Sequence, residues 1–210
     1  MSIKKFQSLK TKSTMSWCFF DFGLSSYPTL ILTFFYGAYY ASNIANDTII
    51  GTTLWGYTIS SASLISFFLF SFLLIYMRSY FKEINTQMFF FFLLLIIISL
   101  FSLGFFDEGS NQYFPLIFIF LSFVSFEVLN LFYNISLKRI SKSKDEGFLS
   151  NIGWAFGYLG GLLSLIIAFY FLNYTKNNGY EIFGLSSFTF IGPFVGIWTF
   201  TFCFFHFKTF

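Results

Sequence analysis

Two carboxylic acids lie inside long apolar stretches of the sequence, where an ionisable group is unusual. Asp21 falls in the first apolar stretch, and Glu127 falls near the middle of the fourth. A charge at bilayer depth costs about 2.5–3.5 kcal/mol on the lenient insertion scale, so such groups usually face a bundle interior or a wet cavity. We interpret both as proton-coupling or cavity residues. The alternatives are a helix-capping or headgroup role for Asp21 and a structural hydrogen bond for Glu127.

Polar side chains accompany both carboxyl groups at helical spacing. At 100° per residue, Glu127, Asn130 and Asn134 fall within about 60° of one another on one helix face. In the first stretch Ser25 shares a face with Asp21. Such groups would be costly toward lipid, so we predict that they line a cavity for a small solute or contact another helix. The candidate cavity contacts are Ser25, Asn130, Tyr133 and Asn134.

Proline and glycine mark two further features of these helices. Pro28 removes a backbone donor from the first stretch and favours a kink there. Small residues at spacings of three and four occupy about 100° of one face of the fifth stretch. Small residues let another helix approach closely. We therefore predict a helix-packing face at Gly153, Gly157, Gly160 and Gly161.

The composition indicates whether water or lipid surrounds this chain. Of its 210 residues 56% are hydrophobic and only 10% are charged, whereas soluble proteins carry about 25% charge. This argues against a soluble enzyme, a disordered chain and a nucleic-acid binder, and makes the lipid bilayer the expected partner. No zinc, phosphate-loop or nucleophile motif is present, so we expect no enzyme activity, cofactor or metal.

Six continuous apolar stretches predict an all-α membrane fold with six transmembrane helices. They lack period-2 alternation, and only helices satisfy the backbone within one segment in lipid. We predict a tail at 1–14 and an end at 208–210. The predicted spans lie between them, at residues 15–43, 52–77, 88–106, 113–137, 148–172 and 185–207.

The basic residues predict the orientation of these spans. Of the 12 Lys and Arg residues, 11 lie in the N-terminal tail, the loops after the second and fourth stretches, and the C-terminal end. The positive-inside rule then places both termini in the cytoplasm. A seventh or missing span would break this alternation. The excess of Lys over Arg, with abundant Phe, Ile and Asn, suggests an AT-rich genome, and we expect a multi-pass protein of a prokaryotic plasma or inner membrane.

Several stretches resemble the N-terminal six-helix half of the vacuole-effluxer-like branch of the major facilitator superfamily, the autophagy-related amino-acid effluxer type. The first helix of that branch carries a Trp, an aromatic-Asp-aromatic cluster and a Ser-aromatic pair. These are present here as Trp17, Phe20, Asp21, Phe22, Ser26 and Tyr27. Residues 55–57, 126–134 and 150–161 resemble signatures of the second, fourth and fifth helices, and the last match is the most specific. The resemblance implies a transporter, with vacuolar amino-acid export known for the fungal members.

The chain departs from that family in two ways. The loop after the second helix keeps Arg78 and Lys82 but lacks the Asp and Gly of the usual facilitator motif. The family has twelve spans in two halves that bind substrate between them, whereas the resemblance covers one half. It implies a second six-helix half, from a second copy, a separate chain or a truncated continuation, and we favour a truncated or split product. The alternative is a non-transporting integral membrane scaffold or assembly factor derived from a transporter half.

Overall fold

The computed structural model describes an all-helical chain. Its described residues form helices and no strand, which confirms the predicted helical fold. Five helices are long and apolar enough to cross a bilayer. The structure describes residues 12–80, 86–141, 145–178 and 188–204. Most of the basic residues behind the predicted orientation, together with most of the predicted tail and the predicted end at 208–210, lie outside these ranges.

Six α-helices of nine or more residues follow one another along the described chain, and a short helix, Tyr36–Tyr39, lies between the first two. The fourth begins with Pro115 in its first turn, where the missing N–H costs no hydrogen bond, and ends with Lys138 and Arg139 near its negative pole. The fifth begins at Glu146, an acidic residue suited to a helix N-terminus. The helices are α1 Lys12–Leu24, α2 Thr48–Tyr80, α3 Thr86–Ser102, α4 Phe114–Ile140, α5 Glu146–Asn178 and α6 Ile191–Thr199.

The sixth predicted span is described only in part. Helix α6 continues as a π-helical segment, Phe200–Phe204. The apolar helix Ile191–Cys203 is about 20 Å long at 1.5 Å per residue, which is less than the roughly 30 Å of a hydrocarbon core. Residues 185–187 and 205–207 of this span lie outside the described part of the chain. The count of six spans and the orientation stay predictions.

The first span, Ser13–Ile44, is an irregular helix. After α1 it continues as a π-helical segment, Pro28–Phe34. The backbone N–H of Phe35 donates to the carbonyl of Leu30 at 3.0 Å, five residues back instead of four. Pro28 supplies no N–H for the regular ladder, so this is where a break in the α-helix is expected. Single-turn π segments occur often at functional sites.

Helix α1 lies at the centre of the packing. It contacts α5, α4 and the segment Phe200–Phe204, while α4 also packs against α2 and α3, and α3 packs against α6. Large aromatic side chains of the first span fill this core and are almost fully buried: Trp17, Phe20, Tyr27, Tyr36 and Tyr40. The first span is therefore held on several sides, and its polar residues are held with it.

Two helices expose most of their apolar surface. In the most apolar 18-residue stretch of each helix, only 17% of α2 and 28% of α5 is buried, whereas 56% of α4 is buried. Hydroxyl groups on the exposed side of α2 donate to carbonyls of their own helix, as Thr52 does to Thr48 O at 2.8 Å and Ser63 does to Ile59 O at 2.9 Å. Because those groups are satisfied internally, this face is compatible with lipid or with another apolar helix.

Helices α1 and α5 approach each other closely at the glycine face of α5. A Cβ atom built on Gly160 would collide with the backbone carbonyl oxygen of Phe22. A Cβ on Gly153 would collide with the Tyr133 hydroxyl and with the ring of Trp17. The side chain of Phe22 is itself buried at this crossing. Glycine is therefore required here by the proximity of a backbone rather than by an unusual φ angle.

Candidate functional site

A polar groove opens between the first span, α4 and α5. It has a volume of about 440 Å³. Five predicted site residues line it: Asp21, Ser25, Asn130, Tyr133 and Asn134. The other lining residues are Leu24, Pro28, Thr29, Thr33, Phe34, Phe126, Trp154, Gly157, Tyr158 and Gly161.

The polar residues of the groove share a depth. At 1.5 Å per residue, Asp21 lies about 12 Å from the start of the first span. Asn130 lies about 15 Å from the end of α4, and Gly157 lies about 16 Å from the start of α5. These three helix ends lie together, because Trp17 of α1 stacks on Tyr133 of α4 and lies beside Gly153 of α5. Each residue therefore lies about two to three helical turns from that end of its helix, so the three lie at a similar level of the bundle.

Within the described part of the chain, Asp21 is the only carboxylic acid that lines the groove. Its Oδ1 accepts a hydrogen bond from Ser25 Oγ at 3.3 Å. One turn further on, Thr29 Oγ1 donates to the Ser25 carbonyl at 2.8 Å. The spacing of four residues puts Asp21, Ser25 and Thr29 on one side of the first span.

Two glycines of α5 create the space for these polar groups. A Cβ on Gly157 would lie 2.5 Å from Asp21 Oδ2 and 2.9 Å from Ser25 Oγ. A Cβ on Gly161 would lie 2.7 Å from Thr29 Oγ1. The predicted packing glycines thus have two roles. Gly153 and Gly160 admit a neighbouring ring and backbone, and Gly157 and Gly161 leave room for the carboxylate and the hydroxyls.

Tyr133 is held in place by Trp17. The two rings stack with centroids 4.3 Å apart and planes 5° apart, and Trp17 Nε1 donates to the Tyr133 carbonyl at 3.0 Å. The Tyr133 hydroxyl lies beside Asp21. It is buried and has no hydrogen-bond partner of good geometry within the described residues. A buried hydroxyl that lacks a partner is available to a ligand.

We expect Tyr133→Phe to leave stability unchanged or slightly raised, because the lost hydroxyl has no hydrogen-bond partner of good geometry within the described residues. Trp17→Phe should lower the free energy of unfolding by about 2 kcal/mol, because it removes a buried hydrogen bond and part of a stacked pair. Thermal unfolding of the purified variants in detergent measures both. A larger loss in Tyr133→Phe than in Trp17→Phe would mean that the hydroxyl has a structural partner.

The two asparagines of the groove form a pair on α4. Asn134 Nδ2 donates to the Asn130 carbonyl at 2.8 Å and to Asn130 Oδ1 at 3.2 Å. Asn134 is exposed and Asn130 is half-buried. The pair therefore presents uncharged amide groups to the groove.

Glu127 does not line the groove. The groove side of α4 carries Phe126, Asn130, Tyr133 and Asn134, and Glu127 lies about 70° round the helix from the middle of that side. It shares a direction with Phe123 and Val124, which pack with Ala62 of α2. Glu127 is half-buried and makes no hydrogen bond or ion pair with any residue that the structure describes.

Sequence reasoning missed several residues of this site. Thr29 follows Asp21 and Ser25 at a spacing of four, and this was an available signal. Trp154 and Tyr158 lie inside the glycine-rich stretch, yet 61% and 73% of their surfaces are exposed at the groove. Nothing local distinguishes them from lipid-facing aromatic residues. Among the described residues, no three His, Cys, Asp or Glu side chains are grouped to hold a metal ion.

No protein-family model matches the chain, and neither a characterised protein nor a solved structure matches it significantly.

Proposed function

We propose that the chain is half of a major-facilitator-type transporter that moves a small solute by alternating access. Its six-helix domain would rock against a second six-helix half, with the groove contributing one side of the solute site. The family resemblance suggests an amino acid as the solute. The single observation that carries the proposal is the groove itself, where polar side chains from the first span, α4 and α5 converge within apolar helices around Asp21.

The ionisable side chain of Asp21 within a span favours transport over a scaffold role. A scaffold helix gains nothing from an ionisable group at this depth, and such groups in spans mark solute or proton pathways by default. The groove opens beside exposed residues, including Phe34, Asn134 and Trp154. A second half seated there would close the groove into a cavity.

The apolar surface of α2 and α5 supports a partner of the same kind. Both helices are long, and a smaller share of their apolar surface is buried than in α3 or α4. A second six-helix half would pack against such faces through small and apolar side chains. We therefore propose a second copy or a separately supplied half as the partner in the bilayer.

Liposomes that contain the 210-residue chain alone test transport directly. We expect uptake of at least one solute from a panel of amino acids and their amine and acid analogues at two pH values. Protein-free liposomes are the control for leakage. Uptake of no solute, by the chain alone or together with a co-expressed second half, would contradict the transporter and favour the scaffold.

Glu127→Gln tests proton coupling separately from the groove. Because Glu127 lies outside the groove, near Tyr27 and the α2 side of α4, its neutral analogue should leave solute binding intact. We expect it to abolish the pH dependence of uptake, since Gln cannot exchange a proton. The measurement is initial uptake rate against pH for wild type and variant. Unchanged pH dependence would remove Glu127 from the mechanism.

A further inference from the structure

We propose that the groove selects a small organic cation, an amine without a carboxylate group, whose ammonium binds at Asp21. The inference rests on the proposed transport function and names the substrate class of the same groove. It follows from charge, hydrogen bonding and aromatic exposure around Asp21.

The charge balance of the spans leaves Asp21 without a cationic partner. No Lys or Arg occurs in residues 13–77, 83–137, 145–175 or 177–207, which contain the apolar spans. No described ion pair involves Asp21, and every other side chain lining the groove is neutral. A carboxylate at this depth is normally paired. A bound cation would supply the missing charge.

The hydrogen bonding of Asp21 also leaves room for a donor. A carboxylate can accept about four hydrogen bonds, whereas among the described residues only two hydroxyl groups lie at Asp21: Ser25 Oγ, with a long contact of 3.3 Å to Oδ1, and the Tyr133 hydroxyl beside the carboxylate. Oδ2 lies close against Gly157 of α5, where a Cβ atom would lie 2.5 Å from it. An ammonium group has three donors and no acceptor, so it matches a site made of a carboxylate and hydroxyl oxygens.

Aromatic rings frame the opening of the groove. Trp154 and Tyr158 lie one turn apart on α5, with ring centroids 6.4 Å apart and planes at 73°. Both line the groove and are largely exposed. Cations bind over the faces of Trp and Tyr rings. The rings can therefore hold the cation or the apolar body that carries it.

A carboxylate on the solute would find no counter-charge in the groove. Helix α4 presents the uncharged amides of Asn130 and Asn134 to the groove, and removing a carboxylate from water without a paired cation is costly. An amine should therefore bind more tightly than the amino acid of the same shape, and the corresponding acid should not bind.

Three matched probes test this selectivity: 2-phenylethylamine, L-phenylalanine and 3-phenylpropionate. Equilibrium binding of each radiolabelled probe is measured on the full chain in nanodiscs. We expect the amine to bind about tenfold or more tightly than phenylalanine, and no binding of the acid. Asp21→Asn should weaken amine binding by about 30-fold or more, and Trp154→Leu by about threefold to tenfold. Glu108→Gln, which neutralises an exposed loop carboxylate, should change nothing.

The outcomes separate this inference from the transport proposal. Phenylalanine bound as tightly as the amine, or amine binding unaffected by Asp21→Asn, overturns the cation selectivity while transport can stand. An amine that fails to bind at millimolar concentration also overturns it. If Asp21→Asn does not fold, Trp154→Leu on the exposed rim decides, because unchanged affinity in that variant contradicts the aromatic contact. Failure of the transport proposal is instead an absence of uptake of every solute in the liposome panel.

Discussion

Replacing Asp21 by Asn is expected to lower solute uptake by about two orders of magnitude while leaving the fold intact. The carboxylate is the one charged group of the groove, and its loss removes the main attraction for a solute or proton. Asn keeps the shape and can still accept a hydrogen bond from Ser25. Initial uptake rates in liposomes containing equal amounts of wild type and variant measure the effect.

Stability distinguishes this result from simple misfolding. An ionised side chain at bilayer depth costs about 2.5–3.5 kcal/mol, so the neutral variant should unfold at the same temperature as wild type or higher. Such an opposition between stability and activity is typical of functional residues. Glu108→Gln provides the matched carboxyl-to-amide control outside the groove and should match wild type in both measurements. Wild-type uptake in Asp21→Asn would remove Asp21 from the transport mechanism.

The second large effect is expected at the crossing of α1 and α5. Gly160→Ala should destabilise the protein by about 3 kcal/mol or more and reduce the yield of monodisperse material. The new Cβ meets the backbone carbonyl of Phe22, which cannot move away as a flexible side chain would. The helices must separate, and overpacking of this kind usually costs about 1–3 kcal/mol even where side chains can adjust.

Gly56→Ala is the control for this variant. Gly56 lies in α2, and a Cβ there would meet nothing within 4 Å. Alanine favours a helix over glycine by about 1 kcal/mol, so the control should be neutral or stabilising, opposite in sign to Gly160→Ala. Size-exclusion profiles and thermal unfolding of the two variants give the comparison. Equal behaviour of both variants would contradict the close approach of α1 and α5.

The boundaries of the helices differ from the predicted spans in a systematic way. The predicted fifth span was 148–172, whereas α5 runs Glu146–Asn178, and the predicted second span was 52–77, whereas α2 runs Thr48–Tyr80. Hydropathy marks where a helix enters apolar surroundings. It does not mark where the helical hydrogen bonds stop, because polar end residues continue the helix into the headgroup region.

Within one helix, the sequence indicated polar faces well but did not give their direction. Spacing placed Glu127 with Asn130 and Asn134 on one stripe, and the structure puts the asparagines on the groove and Glu127 outside it. The reason is that the rotation of the helix about its axis decides which residues of a stripe about 60° wide face the groove and which face a neighbouring helix. That rotation depends on neighbouring helices, which local spacing does not identify.

The sequence by itself determined the apolar surroundings, the helical fold, the carboxyl groups within the apolar spans and the glycine face of α5. Each depends on composition or on the 3.6-residue period, which are properties of a single segment. Only the tertiary structure decided that Gly157 lies against Asp21, that Tyr133 is fixed by Trp17, and that Trp154 and Tyr158 open onto the groove. Lipid is as apolar as a neighbouring helix, so hydrophobicity cannot tell which apolar faces meet. Shape and polar contacts between distant segments make that choice.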